Sequence, residues 1–568
     1  MTSKRSMYVG IFAFALVTTI VITLFLRTLD STPPQENDMA HAATMIPGAF
    51  PSLHITSVFD PFTQERTFWH DGILTLSNHE NGFYNAAVRL RGRGNSTWWN
   101  VEDKRPLRLR FIEPTSLLGS PYPARDWILL ADYFDRSLLR NYTALKLSSL
   151  LDGLDFTPAM RHVHLYVNGQ YMGVYLLTDE RDVEPGRMQL EWNADPHESD
   201  FFMELDARAS QGGVEGETFV SVSGMLYDIR FPGSSGRTPA HMQYVKEYLE
   251  AVSDAIRARN FNEITRLIDL DSFIDFYIVQ ELLKNPDVHS LSVFMYLQGA
   301  GSGRRLFMGP VWDFDVAAGN FTGQPLGNNP EYLVAAVINY WYRYLMQTPE
   351  FFDAVVNRWN QIIDNEIAQT LDHIQTLAAT YSHEFERNFE RHPTSSQLIP
   401  PQMQELISFE EHVDYLLTWL QTRIAWLDDY FNDRLPNHDP LVQLVDFYRQ
   451  SPLTIIIDGE IQALNTPAIF LHSRILIALD ETYRLFGANA HFDHAAQTLQ
   501  ITQGDLYITY EIGTRYFFAN GNMFNLSTPF PFEIDGNIFI PLSMITNGLG
   551  YSTTWSSATR TAQLIRIE

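Results

Sequence analysis

Three short clusters in this 568-residue sequence carry residue types suited to phosphate or metal chemistry. The most informative is Gly309-Pro310-Val311-Trp312-Asp313-Phe314-Asp315. Read as an extended segment, it points Asp313 and Asp315 to one side and Trp312 and Phe314 to the other. Hard carboxylate oxygens on one side suit Mg2+, which takes one or two carboxylates and completes its shell with phosphates and water. The second cluster, Asn285-Pro286-Asp287-Val288-His289, sets a carboxylate on a loop, where it can accept a hydroxyl proton or orient a nucleophile. The third is Arg91-Gly92-Arg93-Gly94-Asn95-Ser96-Thr97-Trp98, followed by Lys104-Arg105-Pro106-Leu107-Arg108. Its glycines let backbone approach a phosphate while the flanking cations neutralise it. Taken singly, the arginine cluster also fits an ordinary β-turn, and Asn285-Pro286-Asp287 fits a simple capping turn.

Other chemistries lack their residues. There is no cysteine, which excludes disulfides, Cys-ligated zinc, iron–sulfur clusters and thiol nucleophiles. No G-x-x-x-x-G-K-[ST] loop and no G-x-S-x-G elbow occurs, and HEFER at His383 lacks the second histidine of a zincin. With 40 Lys+Arg against 67 Asp+Glu the net charge is −27, which argues against a non-specific nucleic-acid binder.

The elements that position these clusters form a mixed pattern. Short alternating runs between Pro51 and Pro123 read as strands. In one of them Leu107, Leu109 and Phe111 face one way and Arg108 and Arg110 the other. A helix is predicted near Ser137–Leu151, then a hairpin turning at Asn168-Gly169. Helices follow from about Thr238 to Leu283, with Phe273, Phe276, Ile278 and Leu282 near helical spacing, and again from Pro330 to Asn432. Strands followed by helices predict an α+β unit, residues 51–435, with a β-rich front lobe and a helical back lobe.

At the N-terminus, Met7 to Leu26 is an uncharged apolar run preceded by Lys4 and Arg5. Its 20 residues match a bilayer's hydrocarbon thickness of about 30 Å. The charge bias predicts a retained signal-anchor over residues 1–28, N-terminus cytoplasmic, with the bulk outside the cell membrane behind a linker at 29–50. The last segment, residues 446–568, contains a repeat: Leu476 matches Phe539, Leu479 matches Leu542, Gly487 matches Gly550, Phe492 matches Trp555 and Thr498 matches Thr561. This segment resembles the copper amine oxidase N-terminal-like (stalk) domain, without copper being implied. His472, His491 and His494 do not recur across the repeat and read as surface histidines. The segment reads as an interaction module, with the cell wall as its candidate partner.

The larger unit resembles the CotH kinase family of spore-coat-protein kinases. The carriers are RGRGNSTW with KRPLRLRF, DWILLADYFDRSLLRN at Asp126–Asn141, VNGQYMGVYLLTDE at Val167–Glu180, NPD at Asn285–Asp287 and GPVWDFD at Gly309–Asp315. The resemblance implies an atypical protein-kinase-like, two-lobed fold and transfer of phosphate from ATP to Ser or Thr of a surface or coat protein, with Mg2+ or Mn2+. It implies Asp313 as the main metal ligand with Asp315 beside it, and Asp287 as the catalytic aspartate. Lys104 and then Arg108 are expected on the nucleotide phosphates, Gly92, Gly94 and Asn95 in the loop over them, and Glu180 at the adenine. Where a kinase-like site carries a metal-binding Asn, this chain has Ser292, or Ser290 with a slipped register. The alternatives are a pseudokinase scaffold or envelope-binding protein and, third, a carbohydrate-active enzyme using an Asp pair.

Overall fold

The computed structural model describes residues 49–568, except 63–64, 80–82, 100–103, 121, 185–186, 322–326, 394–405, 433–438, 472–473, 512–513, 515, 527–531, 535, 557–558 and 568. The expected membrane segment and linker lie outside the described residues. Among those described, no helix is long and apolar enough to cross a membrane.

Seven strands form the front lobe: β1 (Ser52–Ser57), β2 (His70–Ser77), β3 (Phe83–Gly92), β4 (Leu107–Thr115), β5 (Ala124–Leu130), β6 (Arg161–Val167) and β7 (Gln170–Asp179). They close into a barrel in the order β1-β2-β3-β4-β5-β7-β6, and the parallel pair β1–β6 seals the seam with Ser52 opposite His164 and Ile55 opposite Val167. Period-two alternation decides which residues fill it. Leu107, Leu109, Trp127, Leu129, Tyr175 and Leu177 point inward to the barrel core. On β5 and β7 the intervening Ile128, Leu130, Val174 and Leu176 join the larger core of the back lobe, so these two strands are buried on both faces. The β6–β7 hairpin turns at Asn168 and Gly169, whose φ values of 50° and 79° suit an Asn-Gly turn.

The back lobe is not helical alone. It holds a five-stranded antiparallel sheet made of β8 (Phe201–Leu205), β9 (Phe219–Val222), β10 (Met225–Phe231), β11 (Val293–Gln298) and β12 (Arg305–Met308), in the order β12-β11-β8-β10-β9. Helices pack around it. Leu270–Leu282, capped by Asp269 on the Ser272 N–H, buries Phe273, Phe276, Ile278 and Leu282. The long helix Phe409–Phe431 begins with a capping box between Ser408 and Glu411. Arg423 from that helix meets Glu281 at 2.7 Å with both side chains fully buried, fixing it to the helix that leads into the Asn285–Asp287 loop.

Thirteen further strands lie in the C-terminal unit: β13 (Thr454–Ile457), β14 (Glu460–Gln462), β15 (Ile469–Leu471), β16 (Arg474–Ala478), β17 (Asn489–Asp493), β18 (Thr498–Gln503), β19 (Leu506–Glu511), β20 (Tyr516–Ala519), β21 (Asn522–Asn525), β22 (Phe532–Ile534), β23 (Asn537–Pro541), β24 (Tyr551–Ser556) and β25 (Thr561–Arg566). The repeat is real in three dimensions. β16 pairs antiparallel with β23, and Ile477 faces Ile540, its own repeat counterpart, so a local two-fold axis runs through that pair. The copies are also intertwined. The first copy's hairpin β13–β14 pairs with the second copy's β24–β25, and β20–β21 joins β17–β18 through the inserted β19. Upstream, the helix Pro440–Gln450 bridges the two units: Phe447 packs on Tyr332 at 5.1 Å, and the Tyr448 hydroxyl donates to the Phe470 carbonyl at 2.8 Å.

Candidate active site

A cleft of about 1070 Å³ opens between the barrel and the five-stranded sheet. One wall is basic and glycine-bearing, the other acidic. Gly92, Gly94, Asn95, Arg108 and Glu180 line the first; Asp287, Ser292, Asp313 and Asp315 line the second. The structure thus brings together nine of the ten residues singled out from sequence.

On the acidic side, the Asp313–Asp315 segment is a loop after β12 and not an extended strand. Asp313 has φ +70°, a left-handed conformation that breaks the expected alternation. The two carboxylates reach one cleft because the loop is pinned from behind by the DYFDRSLLRN segment. The Asn141 side-chain oxygen accepts the Phe314 N–H at 2.7 Å. Arg140 donates to the carbonyls of Ala317 and Ala318 at 3.0 and 3.2 Å while pairing with buried Asp135 at 2.6 Å. Asn320 ties the Asp315 and Phe134 carbonyls together at 2.7 and 2.9 Å.

Asp287 sits in a short 3-10 turn, Pro286–His289, capped by the Asn285 side-chain oxygen on the Asp287 N–H at 3.1 Å. The Asn285 amide nitrogen donates to the Asp313 carbonyl at 3.3 Å, joining the two acidic loops. Ser292, also left-handed at φ +53°, donates its hydroxyl to the Asp313 carboxylate at 3.0 Å. Burial, then the charge of Asp313, pushes the Asp287 carboxyl up to about 7. Burial together with Asp313, Asp132 and Asp287 raises Asp315 well above the usual carboxylate range. Crowded, desolvated carboxylates of this kind fit a hard divalent cation. Among the described residues no three His, Asp or Glu side chains converge to hold a metal by themselves. Asp313, Asp315 and Ser292 would therefore share such a cation with phosphate and water oxygens, the usual habit of Mg2+.

Across the cleft, Gly94 has φ +84° and its loop is held by Arg66, which donates to the Gly94 carbonyl and, at 2.6 Å, to the Asn95 side chain. Gly92 serves a different purpose from the expected one. A Cβ there would stand 2.3 Å from the buried Trp98 ring, so its absence makes room for that indole. Glu180 is an ion-pair hub, bound to Arg108 at 3.2 Å and Arg181 at 3.0 Å. Against the upward push of burial, Arg181, Arg108 and Arg93 draw its carboxyl down to about 2. Arg108 also pairs with Asp126 at 2.9 Å.

Lys104 is the residue that the structure does not bring to the cleft. It is 1% exposed beneath the barrel, its ammonium 5.1 Å from the Tyr175 ring centre, and burial pulls its pKa down to about 7. Conversely, Arg181, Arg208, Arg230, Glu204 and Asp206 line the cleft without a local sequence signal. Some of their contacts come from distant segments: Arg230 pairs with Glu204, and Arg181 lies 4.4 Å from the Phe294 ring and 4.0 Å from that of Trp312, more than a hundred residues downstream.

Residues 456–564 match the copper amine oxidase N-terminal domain. No curated protein matches the chain. Residues 89–427 match the family described as CotH kinase protein. That span holds the nine cleft residues expected from sequence and more than half of the chain, which belongs to the CotH kinase family.

Proposed function

We propose that the protein is an ATP-dependent protein kinase of the CotH type, transferring the γ-phosphoryl group to a Ser or Thr hydroxyl of a surface or spore-coat protein. The observation that carries this reading is the single cleft in which a cationic glycine loop faces Asp287, Asp313 and Asp315. Phosphoryl transfer asks for positioning and charge neutralisation more than covalent chemistry, and the two walls supply these separately.

Gly94 and Asn95 would shape the seat of the triphosphate, with Gly92 making room for the Trp98 ring and Arg108 and Glu180 holding the rim in place. Asp313, Asp315 and Ser292 would hold Mg2+ or Mn2+, which when bound neutralises phosphate charge. Asp287 would orient the acceptor hydroxyl and take its proton. The hydroxyl oxygen forms a bond to the γ-phosphorus, the bond to the β-phosphate oxygen breaks, and ADP leaves. Burial raises the basicity of the Asp287 carboxylate, which suits it to accept a hydroxyl proton.

The apolar run at Met7–Leu26 supports a single-pass anchor in the cell membrane with the kinase unit outside, and the C-terminal unit is the candidate contact to the cell wall. Incubation of the purified chain with γ-labelled ATP, Mg2+ or Mn2+ and a generic protein acceptor tests the enzyme reading. Label transfer is expected in the native chain and is lost in Asp313→Ala. Absence of both transfer and metal-dependent ATP binding would leave a pseudokinase scaffold.

A further inference from the structure

Seven arginines line the cleft; Arg66 holds the Gly94 loop, and the other six divide into two groups. Arg108 is neutralised by Asp126, Glu180 and Asp182, Arg208 by Asp206, and Arg230 by Glu204 and Asp228. Arg91 stacks on Trp69 at 4.9 Å. Arg93 and Arg181 are different. Both guanidiniums stack on the Trp312 indole, at 5.6 and 4.0 Å from its centre, and the Phe294 ring is 4.4 Å from Arg181. Arg93 makes no side-chain hydrogen bond or ion pair among the described residues. Arg181 spends its Nε and one terminal nitrogen on a single oxygen of Glu180.

Two guanidiniums with open donors have Glu180 as their one ion-paired carboxylate among the described residues, with Asp313 acting on Arg93 and Glu204 on Arg181 from further off. Contact with an aromatic face uses the flat side of a guanidinium and not its N–H edge, the edge through which arginine grips phosphate by paired hydrogen bonds. Desolvating such a pair without an anion is costly. Their shared support, Trp312, is the neighbour of Asp313, so the seat adjoins the acidic wall. The geometry points to Arg93 and Arg181 as a two-guanidinium seat for the polyphosphate of a nucleoside triphosphate, with Trp312 as the residue that positions both. This rests on the kinase reading for the nucleotide, but not for the anion. It also supplies the phosphate contacts that Lys104, buried outside the cleft, does not.

The test titrates Mg-pyrophosphate and Mg-ATP against the full chain by thermal shift, and measures steady-state kinetics with ATP and acceptor varied separately. Arg93→Met keeps the apolar stem, and Arg181→Lys keeps the charge but loses the planar fork. Each is expected to raise the half-saturating concentration of both ligands tenfold or more, and to raise KM for ATP while leaving KM for the acceptor within twofold. Trp312→Phe, which retains a ring, should fall between the native chain and Trp312→Leu. Equal binding of both ligands by native and arginine variants overturns the seat and leaves the kinase reading intact. Arginine-dependent binding of pyrophosphate, with ATP bound no better, keeps the seat and removes the nucleotide. Binding of neither ligand by the native chain overturns both.

Discussion

Replacing Arg140 by Met probes whether the Asp313 loop is held by the segment behind it. Arg140 is 2% exposed and its guanidinium serves Asp135, Ser137, Ala317 and Ala318. Breaking a buried ion pair by removing one partner costs about 3–5 kcal/mol, because the other charge stays behind. Two carbonyls that lose their donor add about 1 kcal/mol each where water cannot replace it. The expected loss is about 5–7 kcal/mol. At about 2.1 cal/mol/K of unfolding entropy per residue, a unit of roughly 380 residues loses about 1 °C for every 0.8 kcal/mol, so the melting temperature should fall by about 6–9 °C. Asp135 also accepts the N–H groups of Leu139 and Arg140 at 3.0 and 2.8 Å. Adding Asp135→Asn removes the stranded charge, and the double variant should lose about 1–3 kcal/mol less than the sum of the singles. Kinetics separate support from mere stability: below the melting transition, the Mg2+ concentration for half-maximal phosphorylation should rise several-fold as the Asp313 loop loosens. A melting change under 1 °C, additive singles, or an unchanged Mg2+ requirement in the folded variant would refute this account of how the loop is positioned.

Three further outcomes follow from the same structure. Gly92→Ala forces a methyl into the Trp98 ring and should destabilise the barrel by about 1–3 kcal/mol; a neutral result by chemical denaturation would show that the ring has room to move. His162, stacked between Phe50 and Tyr142 and hydrogen-bonded to the Leu138 carbonyl, is held down to about 4 by burial. Because the unfolded chain takes up its proton near pH 6.5 and the folded chain does not until about 4, stability should fall by about 3 kcal/mol as pH drops through that window. His162→Phe should flatten this dependence, and an identical acid profile in the variant would contradict the assignment. Asp126→Asn should expose the repulsion between Arg91 and Arg108 and between Arg89 and Arg110, which stand directly opposite on β3 and β4. Its unfolding midpoint should rise with added salt more steeply than that of the native chain, and parallel salt responses would argue against it.

Much of the fold was legible where the information is local. Leu107, Leu109 and Phe111 alternate into the barrel as expected, Asn168-Gly169 turns its hairpin, and the C-terminal repeat is a true duplication. Sequence also indicated nine cleft residues, because each lies in a motif with its own chemistry. Pairings between distant segments were hidden: the β1–β6 seam, the back-lobe sheet and the stacking of Arg181 on Trp312 have no local signature. Two of the departures from expectation at the site have plain physical reasons. Period-two alternation cannot describe Asp313, whose backbone is left-handed, and a lysine beside a glycine loop need not reach it when Tyr175 and the barrel enclose its ammonium.

The exchange of hairpins between the two C-terminal repeats has a kinetic consequence. β13 forms its parallel pair only with β25, Thr454 lying opposite Thr561. The β17–β21 meander, by contrast, joins neighbours in the chain through successive hairpins. Closing a short hairpin costs far less chain entropy than bringing together strands a hundred residues apart. During synthesis the meander and the β13–β14 hairpin are therefore expected to form first, with the outer edge of β13 open until β25 arrives. An exposed strand of that kind is a template for the wrong partner, so slow synthesis of the final residues should favour exchange of β25 between two chains over completion within one.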